Sequence, residues 1–221
     1  MKFNFKKEFW ESIDIFFSKA SIGGVFILYS FMLVWFRFAG FNIPEIIDYF
    51  VFIFLDLYLV AMVVNEFEVQ RVLNVLKNRL FYYVLFYVLL NLITAPLLVA
   101  FIVYFLKLPE ILVLILAVIL TLLYYYFIFV RIYLIAPILM VEKKISPWKV
   151  LKDAWKKSKG YQEFLLKISL VGVLFYGLSI SLPAIINDVF LSTTLIVFFS
   201  GVSLPIIKIL FVKAGMFVLE R

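Results

Sequence analysis

The sequence contains neither cysteine nor histidine. Without thiols there is no disulfide framework and no thiolate nucleophile, and redox usage says nothing about compartment. Without imidazole the commonest general base and metal ligand is missing. Charge is scarce as well: Asp, Glu, Lys and Arg make up 16% of the residues against 66% hydrophobic ones. With a mean hydropathy of +1.13, the chain has more apolar side chains than a polar-surfaced domain can bury, so the excess has to face lipid. There is no His-Glu-x-x-His, no Gly-x-Ser-x-Gly with a histidine partner, no Walker loop and no Cys-x-x-Cys, the patterns that set up metal, acyl-transfer, phosphate and redox chemistry. Asp48 and Asp56 lie about 12 Å apart on one helix, too far for a shared-proton dyad. No catalytic residue, metal ligand or cofactor is therefore assigned, and the chain reads as a non-enzyme.

What is present is apolar helix. The 221 residues supply about six helices of ~20 residues, each long enough to cross a bilayer. The expected fold is all-α: a polytopic integral membrane protein with six transmembrane helices, forming one membrane domain over residues 1–221. The spans fall at residues 21–39, 44–64, 80–106, 110–135, 162–186 and 189–213. Amphipathic stretches precede some of them. In residues 5–19 Phe5, Phe9, Trp10, Ile13, Phe16 and Phe17 share one arc, and residues 65–79 set Val69, Val72, Leu73 and Leu76 against polar neighbours. The turn from Lys107 to Glu110 is too short to cross, so spans three and four form an antiparallel hairpin. An interfacial helix before each hairpin suggests a threefold repeat over 1–64, 65–136 and 137–221. The N-terminal residues carry acids and aromatics with no small-residue cleavage site, and read as mature protein.

Lysine and arginine set the expected orientation. Nineteen flank one side of the spans, against only Arg37 and Lys107 on the other. Both termini and the amphipathic helices are thus expected on the cytoplasmic face of the plasma membrane.

The densest charge lies in the elbow at residues 136–160, where seven lysines between Lys143 and Lys159 face a single acid, Asp153. Ser146-Pro147 reads as an N-cap with proline in the first turn, and Gly160 as the helix stop. On a helical wheel Trp148, Val150, Leu151, Ala154 and Trp155 share one arc; Lys149, Lys152, Asp153, Lys156, Lys157 and Lys159 lie opposite. Such a helix suits a membrane surface carrying anionic headgroups, while nucleic acid is not an expected partner. Span four ending in Arg131 and Pro137, then Ser146, Ala154-Trp155 and Lys157-Ser158-Lys159-Gly160, resembles a signature of prokaryotic six-span membrane families, among them the membrane domain fused to some glycerophosphodiester phosphodiesterases. The resemblance covers residues 125–185 and implies fold and location. With no hydrolase domain in the chain, it implies no phosphodiesterase activity.

An ionisable group inside hydrocarbon calls for a reason. Asp56 lies about 18 Å along its helix from Pro44, near the bilayer centre. Arg37, Asp48, Arg131, Lys208 and Lys213 are expected within a turn or two of an interface, where long side chains can snorkel. Asn91 reaches a depth similar to that of Asp56. Two readings of Asp56 stand side by side: a proton, cation or substrate site supported by Asn91, or a helix fastener that is protonated or paired with Asn91 or Lys167. Proline breaks beside hydroxyls, at Thr94-Ala95-Pro96, Ser181-Leu182-Pro183 and Ser203-Leu204-Pro205, can expose carbonyls to a cavity. Asp56, Asn91, Thr94 and Ser203 are thus the candidate polar site of a transporter-like or lipid-handling bundle acting on a small or lipidic substrate. The alternative is a membrane-anchored interaction protein whose basic elbow binds anionic lipid or a partner.

Overall fold

The computed structural model describes residues 3–38, 45–93, 112, 130–142, 146–186 and 188–220. All regular structure among them is helical: α1 Phe5–Ser18, α2 Ala20–Phe38, α3 Glu45–Val64, α4 Val69–Ile93, α5 Val130–Glu142, α6 Pro147–Lys157, α7 Gln162–Ile185 and α8 Val189–Phe198. A π-helical turn, Phe199–Ser203, then leads into α9, Leu204–Leu219. The hairpin turn at Lys107 to Glu110, Thr94, Pro96 and most of spans three and four lie outside the described residues.

Local chemistry explains the boundaries. Asn4 caps α1 by accepting from the Lys7 N–H, and Asp188 caps α8 through the Leu191 N–H. After Val64 the chain turns through Glu66 and Phe67, both at positive φ, while the Phe67 N–H returns to the Met62 carbonyl at 2.8 Å. Helix α4 starts at Val69, so the amphipathic stretch expected at 65–79 is the first part of a longer helix. Pro205 has no N–H to continue an α-helical ladder; just before it, the Leu204 N–H reaches back five residues to Phe199 O, which makes the π turn. Ser146 has the extended backbone of an N-cap, Pro147 opens α6, and Gly160 takes a φ of +90° in the turn that follows. Helix α5 runs on to Glu142, past the Ala136 position where the elbow was expected to begin.

Helix α9 is the axis of the bundle, touching α1, α3, α5 and α7. It comes close to α5 because Gly215 has no side chain: a Cβ there would meet Leu134 O at 2.6 Å and collide with Ile138 Cδ1. Higher up, Gly201 of the π turn lies against Ser30 of α2 in the same way.

Burial divides the bundle in two. Toward one end the large apolar side chains face outward: Leu28 and Trp35 on α2, Phe50, Phe52 and Phe54 on α3, Leu174 and Ile185 on α7, and Phe190 on α8, which is 81% exposed. Toward the other end many face inward, although Trp10, Phe17, Leu73 and Phe81 remain exposed. Leu57 and Leu59 to Met62 on α3, Leu134 to Met140 on α5, and Ile209 to Val212 on α9 form a buried core. Helices α1 and α6 and the first turns of α4 surround it, exposing Lys6, Lys7, Arg71, Lys77, Lys149 and Lys152 among others. Helix α3 changes character within one element, and the change falls at Asp56.

Among the described residues Phe190–Leu219, 30 residues long, is the one helix clearly long and apolar enough to cross a membrane. Helices α1 and α2 pass the same test only as a pair bent by 78°, and Phe50–Val64 is a shorter apolar helix.

Candidate functional site: a buried charge pair in a tyrosine cage

Asp56 is 6% exposed and Lys208 9%. They face each other across the contact between α3 and α9, with Lys208 Nζ 2.9 Å from Asp56 Oδ1. The second carboxylate oxygen accepts two hydrogen bonds from α4: Tyr83 Oη donates at 2.5 Å and Tyr87 Oη at 2.6 Å. From α5, the Tyr133 ring lies under the ammonium, 4.4 Å from Nζ to the centroid. Tyr87 and Tyr133 in turn meet edge to face at 6.3 Å. Four helices therefore converge on one carboxylate and one ammonium. A charge inside a protein is tolerated when it is both paired and hydrogen-bonded, and Asp56 meets both conditions.

Sequence position alone missed the partner. Lys208 was expected to snorkel to an interface, and Asp56 to be the single deep charge; instead the ammonium turns inward and neutralises the carboxylate. Lys167, the charged partner considered from sequence, is exposed on α7. The clue available was that Lys208 interrupts the apolar run Ile206-Ile207-Lys208-Ile209-Leu210 with no polar neighbour of its own. A cation so placed needs an anion from elsewhere, and few acids lie within the spans. Of the other expected site residues, Ser203 is buried in the π turn, five positions before Lys208. The Asn91 side chain and all of Thr94 lie outside the described residues.

Two further polar clusters tie the surrounding helices down. Lys213 of α9 bridges Glu8 at 2.6 Å and Glu11 at 2.5 Å, which fixes α1. The hydrogen bond from Lys213 holds the Glu11 carboxyl below its ordinary range. Arg131 of α5 fixes α6: its Nε–H donates to Ser158 Oγ at 2.9 Å, its Nη2 donates to Trp155 O, and its guanidinium stacks on the Trp155 ring at 3.7 Å. Comparison of the chain with family models, curated proteins and solved structures returns no match.

The elbow residues divide in a way the wheel did not anticipate. Pro147, Val150, Ala154 and Ser158 are buried, on the face that meets α5 and α4. Trp148 is 69% exposed and Trp155 42%. Lys149, Lys152, Lys156, Lys157 and Lys159 are all exposed. The single apolar arc is thus divided: Val150 and Ala154 face the bundle, Trp155 lies at its edge against Arg131, and Trp148 faces away from it.

Proposed function

We propose that the protein is a multi-pass membrane protein of six spans, with both termini and the lysine-rich helices on the cytoplasmic side of the plasma membrane. Within it, the Asp56–Lys208 pair is the coupling element of a transporter-like bundle that moves a small or lipidic solute. The outward-facing apolar side chains of α2, α3, α7 and α8 support the membrane part of this reading, since water would not tolerate such a surface. The helix rises about 28 Å from Val189 to Lys208, close to the ~30 Å hydrocarbon thickness. This supports a position for the pair toward the inner boundary of the bilayer, where the distance of Asp56 from Pro44 alone suggests the midplane.

The observation that carries the transport reading is the closed neutral pair itself, shared by four helices. In a low dielectric neither partner leaves without a substitute, so the arrangement has discrete states: paired, or opened by a proton on Asp56 or by an anionic group on Lys208. A ligand preferring the opened state would shift the helices that hold the pair. The test uses purified protein in proteoliposomes, following proton movement under an imposed pH gradient and inward movement of a fluorescent phospholipid. Wild-type protein is expected to exceed protein-free vesicles in at least one assay, and the charge-neutral double variant Asp56→Asn with Lys208→Gln to fall to their level. Equal activity in wild type and double variant would contradict the proposal.

A further inference from the structure

We propose that the outward stripe of α6 docks on the surface of an anionic phospholipid bilayer. The inference rests on the membrane setting proposed above, but not on transport. Trp148, Lys152 and Trp155 follow one another at helical spacings of four and three residues, so they lie on one side of α6, with Lys149 and Lys156 beside them. The opposite side is occupied by the bundle through Pro147, Val150, Ala154 and Ser158. This is a fixed presentation: the Arg131 contacts to Ser158 and to both the carbonyl and the ring of Trp155 clamp the C-terminal turn of α6 to α5.

A helix held on one side by its protein, with the Trp148 indole on the free side, the half-exposed Trp155 indole at its edge and several ammonium groups beside them, needs a surface that is apolar just below and negative just above. The bilayer boundary supplies both within a few ångströms. Indole sits at headgroup depth with its N–H wetted, while each lysine near an anionic leaflet gains electrostatic attraction. Asp153 is the one acid within α6, so the charge complementarity is to an anion. Arg131, at the end of α6 that carries Trp155, lies two residues before Tyr133, which faces Lys208. That end of α6 is therefore level with the charge pair, near the inner boundary inferred above. Nucleic acid would match the lysines and leave the indoles in water.

Single-tryptophan proteins test this directly: Trp148 alone, and Trp155 alone, with the other tryptophans changed to phenylalanine. They are placed in nanodiscs of phosphatidylglycerol or of phosphatidylcholine containing brominated lipid. Both indoles are expected to be quenched by bromine and blue-shifted, more strongly in phosphatidylglycerol. Changing Lys149, Lys152 and Lys156 to glutamine should remove most of the difference between the two lipids with helix content unchanged. Indoles open to an aqueous quencher to the same extent in both lipids would overturn the proposal, as would protection appearing only when a soluble protein is added. Loss of solute movement with lipid quenching intact would sink the transport reading and leave this one standing; the converse pattern would do the reverse.

Discussion

Helix α9 carries two lysines five residues apart, and their surroundings could hardly differ more. Lys208 lies among Asp56, Tyr83, Tyr87 and Tyr133, with its side chain 10% exposed. Lys213 reaches outward to α1, where Glu8 and Glu11 share it and Glu11 remains 44% exposed. The same residue type on the same helix is in one place a buried charge that must be matched one for one, and in the other a clasp open to water. Between them Ile209 to Val212 belong to the buried core. Buried lysine is costly and specific; edge lysine is cheap and replaceable. The two therefore serve as markers of depth.

The largest effect should come from breaking the deep pair on one side only. Asp56→Leu leaves an unmatched ammonium and is expected to lower stability in detergent by about 3–5 kcal/mol, whereas Asp56→Leu combined with Lys208→Leu should recover most of that loss. Unfolding midpoints of the two single variants and the double one check this; additive losses would mean that the pair is not coupled. Next comes the clamp on α6. Arg131→Leu gives up a guanidinium hydrogen-bonded to Ser158 and Trp155 and stacked on a ring, a loss of about 2 kcal/mol. It should show as faster amide exchange in α6, with α3 and α9 unchanged. The edge clasp is weaker: Lys213→Gln should cost about 1 kcal/mol, the ordinary scale for pairs near the surface, and loosen α1 without disturbing Tyr83 or Tyr87.

The smallest effect is acid sensitivity of that clasp. The Glu11 carboxyl titrates below its usual value of 4.5, chiefly because Lys213 hydrogen-bonds to it. A depressed carboxyl contributes stability that is complete above the unfolded value and lost as pH falls through the folded one. Exchange protection of α1 should therefore hold at neutral pH and fall below about pH 4.5, with Lys213→Gln less protected at neutral pH and flatter across the same range.

Much of the helical order was legible because period and punctuation are local. The alternation of Phe9, Ile13 and Phe16 with charge marks α1, Pro147 and Gly160 bracket α6, and long, mostly apolar runs mark α2, α3 and α9. The Asp56–Lys208 pair was illegible for the opposite reason. Its partners are separated by most of the chain, and each alone obeys a local rule that points elsewhere, snorkelling for the lysine and protonation for the aspartate. Only the approach of α9 to α3 decides between those outcomes. The wheel of α6 failed in a milder way. It grouped Val150 and Ala154 with Trp148 and Trp155 because all are apolar, but small side chains let helices approach and indoles do not. The sequence pattern carries hydrophobicity; the contact is settled by size.

The absence of cysteine makes the decisive measurement clean, since a single introduced thiol has no background. One cysteine is placed at Lys152 and, in a separate protein, one at Asp188, and intact cells producing each are treated with a membrane-impermeant maleimide. With both termini and α6 on the cytoplasmic side, the thiol at 188 is expected to be labelled from outside, and the thiol at 152 only after the membrane is opened. Labelling of the thiol at 152 in intact cells, or of both positions equally, would contradict this orientation.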